Sequence, residues 1–154
     1  MIFVSIPYSS PYVEIVEERV KALSIYCAQL LAKGVIPTSP VLFGSTVLKH
    51  YNLPSDFGYW SVLSLEYVEH SEEVHVLLLD GWKESTGVRN EIEKARELKI
   101  PIKYINVFKS DNHSYFFSEN ADHGKKEGLL ETLLSLKKAI DAEHDDDDVK
   151  LRFT

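Results

Sequence analysis

Cysteine is almost missing from this chain. Of its 154 residues only Cys27 carries a thiol, which excludes an internal disulfide framework and suits a reducing compartment. No stretch approaches the roughly 18 apolar residues that a membrane span needs. The opening MIFVSIPYSS lacks both the basic n-region and the long apolar run of a secretory signal. A cytoplasmic protein with no membrane partner is expected. Metal-binding spacing is absent too. His50, His70, His75, His113, His123 and His144 are scattered, so no metal is expected. No glycine-rich loop with a following lysine occurs, and no GxGxxG follows the first strand, so no cofactor is expected. A basic face is also lacking. The formal net charge is −7, and six acids (Asp141, Glu143 and Asp145 to Asp148) crowd the last 14 residues. Setting those six aside leaves a body near −1, which speaks against a nucleic-acid polymer as partner.

What is present reads as one ordinary domain, with 44% hydrophobic and 27% charged residues. Ile2 to Ile6 is a buried first strand ended by Pro7. Val13, Val16, Val20, Leu23, Cys27, Leu30 and Leu31 recur at helical spacing, predicting a helix over 12–33 that Gly34 stops. Val35-Ile36 reads as a second strand. Residues 38–59, with Pro40, Gly44, Pro54 and Gly58, read as a long loop, and 60–70 as a short helix. Val74 to Leu79 is the strongest strand, apolar enough for burial on both faces. A helix from about Gly87 to Leu98 and a strand from Pro101 to Val107 follow. Residues 109–124 look irregular. Leu129, Leu133, Leu136 and Ile140 mark a last helix over 125–142. Val149 to Phe153 is either an edge strand or a disordered tail, so the domain is set at 1–142 with an acidic tail or edge strand at 143–154. Alternation of strand and helix predicts an α/β fold: an open parallel sheet of four to five strands with helices on both faces, flavodoxin-like or Rossmann-like. Ligands of such sheets sit beyond the carboxyl ends of the strands.

The segment from Leu79 to Glu91 carries the chemistry. A strand ends at Asp80-Gly81, and Ser85 and Thr86 open a helix whose free backbone N–H groups attract anions. Gly87 leaves that backbone open to a ligand. Glu91 lies about one turn further on the same face, within reach of a sugar held at the helix start. Plainer readings exist: Ser85 and Thr86 as caps, Glu91 as a solvated glutamate, Asp80-Gly81 as a turn, Trp82 as packing. His75, inside an apolar strand, reads as a satisfied core histidine. Cys27, on the apolar face of its helix, reads as a buried inert thiol.

Four sets of residues resemble the nucleoside 2-deoxyribosyltransferase superfamily, most closely its short uncharacterised bacterial and phage members, near the nucleoside 5'-monophosphate N-glycosidases. They are Ile6-Pro7-Tyr8-Ser9; Gly34 with Thr38-Ser39-Pro40; Leu53-Pro54 with Trp60; and the block from Val76 to Pro101. The likeness covers residues 2–106. It implies a flavodoxin-like sheet, a glutamate nucleophile at Glu91 and a tyrosine, Tyr8, that orients it. It also implies substrate contacts at Ser9, Trp60, Ser64, Asp80, Ser85 and Gly87. Transferases of the superfamily place an acid six residues before the nucleophile, facing a free 5'-hydroxyl. Its nucleotide hydrolases place a serine there, facing a 5'-phosphate. Ser85 therefore implies a small-molecule nucleotide as ligand and hydrolysis of its base–sugar bond. Transfer of deoxyribose between bases is the variant. One residue departs from the pattern: relatives carry an aspartate four residues after the tryptophan, and here Ser64 stands there. A non-catalytic nucleotide or nucleotide-signal binder is the alternative this departure raises. The resemblance also implies a homo-oligomer, dimer or larger.

Overall fold

The computed structural model describes residues 1–54 and 56–151 and is an α/β fold. In chain order the elements are β1 (Ile2–Ser5), α1 (Val13–Ala32), β2 (Pro37–Thr38), α2 (Pro40–Val47), α3 (Phe57–Glu69), β3 (Glu73–Leu77), α4 (Thr86–Glu97), β4 (Ile102–Lys109), β5 (Tyr115–Glu119) and α5 (Ala121–Leu151). The chain divides into two compact units, one spanning Met1–Asn120 and one beginning at Ala121 with α5.

In the first unit a five-stranded sheet runs in the order β2-β1-β3-β4-β5. The first four strands are parallel, and β5 pairs antiparallel with β4. The register sets Phe3 beside Val74 and Ser5 beside Val76, with Val76 in turn beside Tyr104. The two-residue period of a strand then sorts the core. Phe3, Val74, Val76 and Tyr104 pack under α3 and α4, against Val68, Val88, Ile92 and Ala95. Val4, Leu77 and Ile105 face the other way, onto Leu23, Tyr26, Cys27 and Leu30 of α1, with Val41 and Leu42 of α2 alongside. Helices thus cover both faces. Each fully buried Val or Leu in these layers contributes about 1.5–3 kcal/mol.

Helix ends follow the local chemistry. Ser85 and Asp56 cap α4 and α3, accepting from the N–H groups of Val88 and Tyr59. Past α1, Gly34 (φ 76°) donates to Leu31 and Val35 donates to Leu30. Lys99 (φ 57°) closes α4 in the same way, with its own N–H on Arg96 and that of Ile100 on Ala95.

Four expectations need correcting. The second strand is Pro37–Thr38 rather than Val35-Ile36; the Ile36 carbonyl only accepts from Ile2 as the chain enters the pairing. The long loop contains α2, which Pro40 can start because a first-turn N–H is unbonded in any case. The stretch 109–124 contains β5, so the sheet is mixed and not wholly parallel. The last helix starts earlier and runs further, and Val149 to Leu151 are helical, not an edge strand. Residues 152–154, with Phe153, lie outside the described residues. Leu129, Leu133 and Leu136 are exposed on α5. Among the described residues no helix is long and apolar enough to cross a membrane.

Candidate functional site

The strand order reverses between β1 and β3: from β1 the chain goes first to β2 on one side and then to β3 on the other. In open sheets this is where the connecting loops part and leave a crevice. Here the crevice is a cavity of about 510 Å³. Its walls are the loop after β1 (Ile6 to Ser9), Arg19 of α1, α2 along its length, the Phe57, Trp60 and Ser64 side of α3, and the turn from β3 into α4. Gly44 faces the Trp60 ring across this wall; a Cβ there would stand 3.4 Å from the ring, in ordinary contact.

Glu91 sits inside this cavity and is buried. Helical spacing from Gly87 brings it round to the crevice, and two hydroxyls hold it there. Ser5, the last residue of β1, donates to Oε2, and Ser64 of α3 donates to Oε1. Both serines are buried, so the carboxyl group is bracketed from the sheet and from the neighbouring helix. Burial pushes its pKa from the ordinary 4.5 up to about 7; the two hydroxyl donors pull the other way and only partly offset it. Among the described residues no Lys, Arg or His forms an ion pair with it. The result is an acid poised to change charge near neutrality, a range suited to proton transfer or nucleophilic attack.

At the mouth, Ser85, Thr86 and Gly87 present the start of α4. The Ser85 hydroxyl oxygen accepts from Val88 N at 3.3 Å, so Ser85 is a cap and also a wall residue. Its own proton remains available to an acceptor in the cavity. Asp56 and Glu84 also line the cavity and are exposed.

Most of the residues singled out in the sequence come together here. Tyr8, Ser9, Trp60, Ser64, Ser85, Gly87 and Glu91 all line this one cavity. The expected partnership between Tyr8 and Glu91 is not made. Ser5 and Ser64 occupy the carboxylate oxygens instead. Trp60 is anchored by its ring nitrogen, which donates to the Pro54 carbonyl at 2.7 Å. Asp80 is not a wall residue; its backbone carbonyl accepts from Arg19 at 2.6 Å. Two residues of the site went unread in the sequence. Ser5 hid in an apolar strand, although a polar residue on the Phe3 face was a signal. Arg19 hid on the flank of an amphipathic helix.

The remaining chemical groups are structural. His75 is buried, with Nδ1 on the Tyr26 hydroxyl at 2.8 Å and Nε2 on Glu73 at 2.9 Å. Desolvation depresses its pKa, with Glu73 opposing. Cys27 is free and buried, and burial lifts its thiol to about 11. Among the described residues no cluster of three or more His, Cys, Asp or Glu could hold a metal.

A family model described as a domain of unknown function (DUF1937) matches residues 1–106, which include every residue of the cavity. No curated protein matches the chain.

Proposed function

The chain belongs to the DUF1937 family, and we propose that it binds a nucleoside 5'-monophosphate in this cavity and hydrolyses the base–sugar bond. The observation that carries the reading is the buried Glu91 carboxyl, held by two hydroxyls in the same crevice as the start of α4. A carboxylate meets the sugar; the helix start and Ser85 meet the phosphate; Trp60 and Phe57 offer apolar wall to the base. The resemblance to nucleotide hydrolases supports the same assignment of Glu91 and Ser85.

In this mechanism a Glu91 oxygen bonds to C1' as the C1'–N bond breaks, and the bonding pair leaves with the base, which takes up a proton. Water then attacks C1' and the ester bond to Glu91 breaks. The carboxylate is regenerated, one proton is released, and a sugar 5-phosphate leaves. Ser5 and Ser64 position the carboxyl group throughout.

A second reading has its own observation. Ser64 donates to Glu91 where relatives of the resembled superfamily carry an acid, so no carboxyl group at that point can protonate the leaving base. A protein that captures a nucleotide without turning it over fits this equally directly. Incubation with the four common 2'-deoxynucleoside 5'-monophosphates, followed by chromatography for free base, decides. Base release that disappears in Glu91→Ala supports hydrolysis. Tight calorimetric binding with every ligand recovered intact, in both proteins, refutes it and leaves capture. The buried, unpaired Cys27 accords with a cytoplasmic setting.

A further inference from the structure

We propose that Arg19 of α1 is the specificity-determining residue for the anionic end of the ligand, the group that makes the cavity prefer a phosphomonoester over the neutral nucleoside. The proposal rests on the nucleotide reading above.

Arg19 is half-buried and lines the cavity; among the described residues no other Lys or Arg does. The carboxylic acids of that wall are Asp56, Glu84 and Glu91, so among the described residues of the wall only Arg19 offers a ligand anion a formal positive charge. The guanidinium is also held in place. Its Nη1 donates to the carbonyls of Tyr8 at 3.3 Å and Ser9 at 2.8 Å, and its Nη2 donates to the Asp80 carbonyl at 2.6 Å. These carbonyls belong to the two loops that part at the switch in strand order. Gly81 (φ 86°) makes room, since a Cβ there would lie 3.0 Å from Nη2.

Five guanidinium N–H groups less these three leaves Nε–H and one Nη2–H uncommitted. Among the described residues no carboxylate pairs with Arg19. Arg19 is only partly withdrawn from water, and with no carboxylate beside it its charge is left for an incoming anion. A rigid cation with spare donors, on the wall shared with Ser85, is suited to a phosphate oxygen.

The test is calorimetry with 2'-deoxynucleoside 5'-monophosphates and the matching nucleosides, on the wild type, Arg19→Gln and Arg19→Lys. Arg19→Gln should bind nucleotides about 10- to 100-fold more weakly, the value of a charge-assisted hydrogen bond, and should weaken nucleosides by a clearly smaller factor. Arg19→Lys should keep part of the preference for the phosphate. An arginine that only braces the two loops would weaken both ligand classes alike in both variants, and that result overturns the proposal. If Arg19→Gln does not fold, the lysine variant decides: a phosphate preference kept supports the proposal, and one lost overturns it. Wild-type protein that binds nucleoside and nucleotide equally overturns this inference alone. Wild-type protein that binds neither overturns the nucleotide reading and this inference together.

Discussion

Glu91→Gln should make the protein more stable at alkaline pH, and by an amount that can be worked out. The folded state raises the Glu91 pKa from 4.5 to about 7. Between those values the folded protein binds more protons than the unfolded one, so stability falls as pH rises. The contribution of the neutral acid is fully present below 4.5 and is lost by the time pH passes 7. A shift of this size costs about 3 kcal/mol in all, of which about 2 kcal/mol falls between pH 5.5 and 8.5. Glutamine keeps the shape and cannot ionise; one of the two serine hydroxyls can rotate to accept from its amide N–H while the other still donates to its carbonyl oxygen. Urea denaturation of both proteins at pH 5.5 and 8.5 gives the comparison. The advantage of Glu91→Gln should grow by about 2 kcal/mol across that interval, or roughly 6 °C in melting temperature for a domain of this size. Base release should vanish in the same variant. A pH-independent difference between the two proteins would show that the carboxyl group is solvated, and the buried-nucleophile argument would fail with it.

Three further outcomes follow from the same site and fold. If Glu91 attacks as a carboxylate, kcat/KM should climb with pH through about 7 and level off above it; a rate that falls through that range would make Glu91 a proton donor instead. Ser85→Asp should weaken nucleotide binding more than nucleoside binding, because a carboxylate then faces the phosphate; equal losses in calorimetry would refute the phosphate assignment. Lys99→Gly should stabilise the fold by roughly 0.5–1 kcal/mol, since Lys99 sits at φ 57° in a left-handed helix stop that glycine adopts without steric cost; a lower melting temperature would contradict this.

The parts of the fold set by periodicity were legible. Of the seven apolar positions read in α1, Leu23, Cys27 and Leu30 are buried as their spacing implies, Val16 and Val20 are half-buried, and Val13 and Leu31 at the two ends are exposed; Val74, Val76 and Leu77 of β3 are buried. Where one short signal competed with several loop signals, the reading failed. Pro40 and Gly44 look like loop residues, yet Pro40 starts α2 and Gly44 lies inside it, facing Trp60. Tyr115, Phe116 and Phe117 are too brief an apolar run, among polar neighbours, to announce a strand that is defined by pairing with β4. At the site, Glu91, Ser85 and Gly87 lie on one helix, so spacing alone brought them together. Ser5, Arg19 and the serine bracket around Glu91 join residues 27 to 86 positions apart along the chain. Only the strand order creates those contacts, and no local pattern encodes them.

The protonation state of Glu91 also ties the two ends of the cavity together. On the proposed reading, a nucleotide would bring a phosphate into a crevice that also holds an acid raised to about 7 by burial. Two negative charges in one poorly hydrated space disfavour each other, so bound phosphate raises the Glu91 pKa further unless a cation stands between them. Arg19 is the cation available on that wall. With Arg19 in place, the pH limb for kcat, which reports the bound state, should stay close to the limb for kcat/KM, which reports the free protein. Without it, the kcat limb should move to higher pH while the kcat/KM limb stays where it was. On the proposed reading, charge recognition and chemistry then form one electrostatic system, in which a phosphate paired with Arg19 leaves the Glu91 pKa close to its unliganded value.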